Sequence, residues 1–592
     1  NEFAYTGEEW GGYKYIWTPY KSAYDCTEGD GYALLAAAYM ADVVTFNGYW
    51  MCTHDKRRSR TKKYAKCVDN APDYQYGPYA IGDGGAGGNT AADGDVDVAL
   101  ALYVAYKQWG EFMRDLDGNI VNDACGNPIS YKEAMIEVIR GLVALSTRFE
   151  DDLKNGNVLR VNSGLIGLDG YPKGGDTWND QTGFVSATNP IEFSESKEIF
   201  NLTQSGELKT MDAKGLKLYP EFQGPRTQHV DYNAPAYYRE FYELLEELGG
   251  DPWEIEQFRR GEASSDWLIG DLLSKSKYSV PTAGWVSVFE SGDHVKYYKY
   301  TYDENGNKDS FLVDKIATEA GTEFSNFDQG EDYRCSWRTI CNYMWHGNPD
   351  YHWNPQTHMV ESGGKNYEQQ AAIRFSEWMN DPSNWNPAQG SHCIDYGSIH
   401  NMPYSGPATI RWQNDPNTGV PTGVAPGQTS FGGQDFYCSL SMQSGTGSYA
   451  AVGAEDYELM GLLYRECAIK WDTRGDAEDI TVPASEKNNV GKRSNYMHGW
   501  ARQMGMMVLS GNYPAPSQMS PRPNLKIYRA IKDSVTFCFT GDTITYLLDY
   551  RNYGSVDAEN VVIVENVPND FIVIPGSITD GGVYDASSGT IT

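Results

Sequence analysis

Three carboxylates alternate in Asn89-Thr90-Ala91-Ala92-Asp93-Gly94-Asp95-Val96-Asp97-Val98-Ala99, at the entry to an almost wholly apolar run. One or two acids can complement a helix N-terminus. Three at once, beside an apolar interior, point to a polar site at one end of the core. A second acid-bearing segment, Cys26-Thr27-Glu28-Gly29-Asp30-Gly31-Tyr32, also leads into an apolar run. Thr27 or Asp30 can cap a helix there, but capping does not account for Glu28 in a Thr-Glu-Gly-x-Gly-Tyr string. A third segment, Asp303-x-Asn305-Gly306-Asn307-x-Asp309, has the spacing of a calcium loop. No Glu closes that loop, and Lys299-Tyr300-Thr301-Tyr302 reads as a strand, so a hairpin turning at Asn-Gly is expected instead.

Elements to position these acids recur from the N-terminus to about residue 510. Apolar runs of helical length cover Tyr32–Met40, Val96–Trp109, Ala134–Leu145, Ala234–Leu248, Ser336–Trp345, Ala371–Met379, Tyr457–Trp471 and Trp500–Leu509. The run from Val96 to Ala105 is apolar nearly all round, as a helix buried on most sides must be. Tyr237–Leu248 instead carries its charges on one face. Buried helices alternating with amphipathic ones predict concentric layers, a mainly α fold of the (α/α)6 barrel type. Long Gly-, Asn- and Pro-rich loops at 174–230, 277–330 and 347–450 are expected to wall a cleft at one end of the barrel.

The texture changes after Pro514. Residues 517–526 read as a linker, separating a first domain at 1–516 from a module at 527–592. In the module, Val535–Phe539, Thr543–Tyr550 and Val561–Val564 alternate with period two between turn signals such as Asn552-Tyr553-Gly554 and Gly581-Gly582. An immunoglobulin-like β-sandwich is expected, and it is short of a full one. The run resembles the repeated β-modules of bacterial surface proteins, in Gly541–Tyr546, Asn552–Ala558 and Val561.

Composition narrows the partners. Asp and Glu number 80 against 48 Lys plus Arg, a formal charge of −32. That balance argues against nucleic acid, whose phosphates are neutralised by Lys and Arg. No apolar stretch approaches membrane-spanning length. Tyr is 43, Trp 16 and Gly 62, which suits aromatic platforms on glycine-rich loops for flat, neutral ligands such as sugars. Ten Cys do not make a disulfide scaffold, although Cys52 and Cys67 flank the basic loop Lys56–Arg60 as a staple would. The opening Asn1-Glu2-Phe3 carries no signal-peptide pattern and fits a secreted protein in mature form. No Cys-x-x-Cys pair suggests a zinc ribbon, and neither metal nor cofactor is expected.

Asp93-Gly94-Asp95-x-Asp97-Val98-Ala99-x-Ala101-Leu102, continuing to Lys107-Gln108-Trp109-Gly110, resembles the signature of glycoside hydrolase family 8, the inverting endoglucanases, lichenases, xylanases and chitosanases. Ala92 stands where the family has Ser or Thr. Thr27-Glu28-Gly29-x-Gly31-Tyr32, Asn233-Ala234-Pro235-Ala236-Tyr237-Tyr238, Arg334-x-x-Trp337-Arg338 and Leu509-Ser510-Gly511-Asn512-Tyr513-Pro514 resemble four further family segments in the same order. The resemblance implies an (α/α)6 barrel and single-displacement inversion. It makes Glu28 the general acid and Asp93 the acid that holds the distorted sugar. For the base, the family offset lands on Glu331, one residue before Asp332. Asp332 is the first choice, Glu331 the second, and an inserted loop the third. Asp95, Trp178, Tyr232, Arg334, Arg338 and Tyr496 are the expected sugar contacts. The implied substrate is a polysaccharide, first β-1,4-glucan, then xylan or chitosan, cleaved by a secreted or cell-surface endo-enzyme. The module would give a route to surface assembly. A sugar-binding barrel without catalysis is the remaining reading.

Overall fold

The computed structural model describes residues 4–6, 14–16, 27–51, 92–115, 118–122, 126–143, 165–166, 170–172, 178–179, 183–184, 226–275, 285–289, 291, 294–302, 308–326, 335–357, 359–382, 413–414, 421–423, 447–472, 496–532, 539–568 and 570–592. Two compact units emerge: residues 1–106 with 111–519, and residues 107–110 with 520–592.

The helices of the first unit are α1 (Thr27–Tyr39), α2 (Val43–Met51), α3 (Ala92–Trp109), α4 (Tyr131–Val143), α5 (Pro235–Glu247), α6 (Pro252–Lys275), α7 (Cys335–His346), α8 (Tyr367–Asn380), α9 (Ser448–Gly453), α10 (Tyr457–Asp472) and α11 (Tyr496–Leu509). Odd-numbered helices meet one another in a ring. Gly31 of α1 abuts Gly94 of α3, and Tyr237 of α5 hydrogen-bonds Asp97 of α3. α5 packs on α7, α7 on α9, α9 on α11, and α11 on α1. Even-numbered helices pack outside: α2 on α1, α6 on α5, α8 on α7 and α9, α10 on α9 and α11. This is the expected double-layered (α/α)6 arrangement.

Burial follows the layers. Every residue from Glu28 to Ala38 in α1 and from Ala92 to Ala105 in α3 is buried. α4 buries Tyr131, Ala134, Met135, Val138, Ile139, Leu142 and Val143, the single stripe of a helix with water on its other side. α5 corrects the sequence reading. Its charges suggested the outer layer, yet Pro235 to Tyr238 are wholly buried and the helix belongs to the inner ring.

The segment 277–330 is also more than loop. Residues 226–229, 285–289 and 321–326 form a three-stranded antiparallel sheet. Strands 294–302 and 308–316 pair in register from His294↔Ile316 to Tyr302↔Lys308, as the expected hairpin requires, while its turn, with Asn305-Gly306, lies outside the described residues. A short hairpin, 351–354 with 359–362, separates α7 from α8. There Trp353 packs with Leu268, Leu272 and Val288 in one apolar cluster, and its indole N–H donates to the Tyr171 hydroxyl (2.9 Å).

The second unit is strand-rich. Residues 525–531 pair with 546–552, and 590–591 lie between 565–566 and 584–585. The Asn552 side chain closes the expected turn, accepting from the Gly554 N–H (2.9 Å). These sheets are compatible with the expected sandwich but smaller. Val561–Val564 is not a strand, because pairing with 590–591 begins only at Glu565. Of the expected strand 535–539, residues 535–538 lie outside the described residues, as do Cys52 and Cys67.

Candidate active site

Glu28 and the three aspartates come together because two inner helices cross almost backbone to backbone. A Cβ placed on Gly31 would lie 2.8 Å from the Gly94 carbonyl oxygen and 2.9 Å from the Asp97 Cβ. Only hydrogen fits there. Glu28 lies one turn before Gly31 on the same helix face, and Asp93 directly precedes Gly94. The glycines therefore set the separation of the two acids.

Glu28 is 9% exposed, Asp93 2%, and Asp95 and Asp97 are fully buried. The Tyr32 hydroxyl, one turn along α1, donates to Glu28 Oε1 (2.7 Å). Asp93 Oδ1 accepts from the Gly94 N–H (2.9 Å) in the first turn of α3. Asp93 and Asp95 both sit in that turn, where the helix dipole favours negative charge.

Asp97 faces the interior and meets Arg338 of α7. Arg338 Nη2 donates to Asp97 Oδ2 (2.7 Å) and to the Asp93 carbonyl oxygen (3.0 Å). Burial pushes the Asp97 carboxyl up from its ordinary range, while Arg338 and the Tyr237 hydroxyl pull it back. Burial works against the guanidinium charge, but Asp97, Tyr32 and Tyr237 together outweigh it and Arg338 stays protonated. The guanidinium lies 5.9 Å from the Tyr32 ring centroid and 5.4 Å from that of Trp337, and these two rings meet edge to face at 5.3 Å.

The network continues past α7. Tyr237 shares a hydrogen bond with the Tyr513 hydroxyl (2.7 Å). Trp345 donates from Nε1 to the Tyr513 carbonyl (2.8 Å), and Tyr39 donates to the Pro514 carbonyl (2.9 Å). All five sequence segments, around Glu28, Asp93, Tyr237, Arg338 and Tyr513, are thus joined side chain to side chain.

Arg338, expected to touch sugar, has no exposed surface and acts on Asp93 and Asp97. Tyr232 is half-buried in a 3-10 turn just before α5. Trp178 lies in strand 178–179 and Tyr496 opens α11, with their side chains outside the described part. Glu331, Asp332 and Arg334 lie outside the described residues. Asp97, Tyr32 and Tyr237 were not singled out as site residues. Each lies inside a motif that had been quoted, and the available signal was a polar atom set in an otherwise apolar helix.

The structure thus gathers acids at one crossing within a ring of buried helices. Residues 12–128 match the model of Glycosyl hydrolases family 8. No curated protein sequence matches. A solved reducing-end-xylose releasing exo-oligoxylanase complexed with xylose is 11% identical over 85% of this chain and 86% of its own, with a TM-score of 0.37. Rex8A from Paenibacillus barcinonensis complexed with xylose is 12% identical over 87% and 89%, with a TM-score of 0.39. Similarity this low carries no argument about what this chain cleaves.

Proposed function

We propose that the protein is an inverting endo-β-glycanase acting on β-1,4-glucan, with Glu28 as general acid and Asp332 as general base. The observation that carries this reading is the crossing at Gly31 and Gly94, which brings the helix turns bearing Glu28 and Asp93 together beside the Asp97–Arg338 pair. Inversion needs one protonated carboxyl at the leaving oxygen and one carboxylate holding water on the opposite sugar face, about 6.5–9.5 Å away. Glu28 gives its proton to the leaving oxygen as the glycosidic bond breaks. Asp332 takes a proton from the water that attacks the anomeric carbon. Asp93 holds the sugar at the cleavage point. Arg338 fixes the Asp93 backbone and keeps Asp97 paired.

The same reading places residues 1–516 as the catalytic domain and 527–592 as a module for extracellular or cell-surface attachment. Reducing-sugar release on soluble cellulose derivatives, mixed-linkage glucan, xylan and chitosan tests the substrate. Anomeric proton NMR of the first products tests the stereochemistry, and net retention would refute the mechanism. Oligosaccharide binding with no release on any polymer would favour a sugar-binding barrel without catalysis.

A further inference from the structure

Away from the Glu28 site, α5 and α7 bring together a donor set that hydrolysis does not use. Among the described residues, Glu240, Glu243 and His346 place one ligand atom each within 4.8 Å of one another. Glu240 and Glu243 are three residues apart on α5 and share a face. His346 is the last residue of α7. Its side chain is 7% exposed and aims Nε2 at Glu240 Oε1, 3.3 Å away. Yet that nitrogen makes no hydrogen bond.

We infer that Glu240, Glu243 and His346 form a binding site for a divalent d-block cation, Zn²⁺ first. Imidazole nitrogen with two carboxylates is a zinc donor set, and three protein ligands leave a fourth position for water. With zinc bonds of about 2.0–2.1 Å, the edge of a coordination tetrahedron is about 3.3–3.4 Å. The His346–Glu240 separation already matches that edge. A cation between the two would occupy the imidazole lone pair, which otherwise faces a carboxylate oxygen.

The surroundings suit such a site. Glu240 is oriented by Ser517, whose N–H donates to Oε2 (2.8 Å) and whose hydroxyl donates to Oε1 (2.6 Å). Ligand carboxylates in metal centres are held by outer hydrogen bonds of this kind. Glu243 is 37% exposed and gives an ion a way in from solvent. Arg239 now pairs with Glu243 (2.9 Å), but it also reaches Asp350 (3.2 Å) and Glu262 (3.9 Å). It keeps partners when Glu243 turns to the metal.

The test uses the untagged full chain stripped with EDTA and titrated with Zn²⁺ by calorimetry, with bound metal counted by mass spectrometry. One equivalent per chain is expected, with a melting temperature that rises with zinc concentration. His346→Ala and Glu243→Gln should each weaken binding at least about ten-fold, given the loss of one direct ligand. Glu243→Gln changes a half-exposed side chain and leaves the core intact, so it decides the matter if the His346 variant misfolds. No zinc uptake by the parent chain, or undiminished uptake in Glu243→Gln, overturns the site. Neither result bears on glycoside hydrolysis, which is measured separately.

Discussion

Asp97 and Arg338 are 241 residues apart and form a fully buried ion pair, Oδ2 to Nη2 at 2.7 Å. Removing one member of such a pair strands the other charge in a medium that cannot solvate it, which costs about 3–5 kcal/mol. Asp97→Asn and Arg338→Met should each lower stability by that amount in urea unfolding. The double variant Asp97→Leu with Arg338→Met should be more stable than either single one, because neither charge is then orphaned. Additive losses in the double variant would show that the pair is not the source.

Gly31→Ala tests the helix crossing. Alanine favours a helix interior by up to about 1 kcal/mol over glycine. Here the added methyl meets backbone and Cβ at 2.8–2.9 Å, with no flexible side chain to yield. Overpacking of this kind costs about 1–3 kcal/mol. A net loss of stability is expected, with a larger loss of turnover because Glu28 is pushed away from Asp93. A gain in melting temperature with normal turnover would contradict the close approach.

Glu28→Gln should keep the fold and oligosaccharide binding while losing at least about 10²-fold in rate, the low end for removing a general acid. Near-normal turnover on an unactivated polysaccharide would exclude Glu28 as the acid.

The base is tested by its two neighbouring candidates. Asp332→Asn should abolish hydrolysis, because an amide cannot take the proton from water. Glu331→Gln should leave much of the rate. The opposite pattern moves the base by one residue, and full activity in both variants moves it to an inserted loop.

A pH prediction comes from Glu262, buried with Asn342 and Glu368 between α6, α7 and α8. Burial raises its carboxyl from 4.5 to about 7, with Arg239 pulling in the opposite direction. The folded state therefore binds this proton more tightly than the unfolded chain. Its contribution is intact below about pH 4.5 and fades as pH rises through about 7, by roughly 3 kcal/mol in all. Glu262→Gln, neutral at every pH, should raise the melting temperature relative to the parent more at pH 8 than at pH 5. An equal effect at both pH values would mean that Glu262 ionises freely.

The barrel was legible because its inner helices are apolar on every side. A run such as Val96 to Ala105 has nowhere else to go. α6 was missed although it spans 24 residues. Its buried apolar residues, Ile255 and Phe258 at one end and Leu268, Ile269, Leu272 and Leu273 at the other, are separated by the buried polar stretch Glu262, Ser264, Ser265 and Asp266, which breaks the apolar period. Within 277–330 the hairpin of strands 294–302 and 308–316 was legible from its Asn-Gly turn, whereas strands 285–289 and 321–326 hid in a presumed loop because each is only five or six residues long. In the site, the acids were visible as exceptions in an apolar pattern. Arg338 was visible too, but its partner was not, since nothing local in the sequence links it to a residue 241 positions away.

The bonds from Tyr39 to Pro514 and from Trp345 to Tyr513 join stretches made early and late, the first pair 475 residues apart. Chain growth at about 5–20 residues per second leaves roughly half a minute to a minute and a half between the two ends of that bond. Over that interval α1 has left the ribosome with its phenol partner unmade, and the ring has no closing arc. The nascent barrel is an open arc of helices, with the wholly buried α1 waiting at one end until the 513–514 segment arrives.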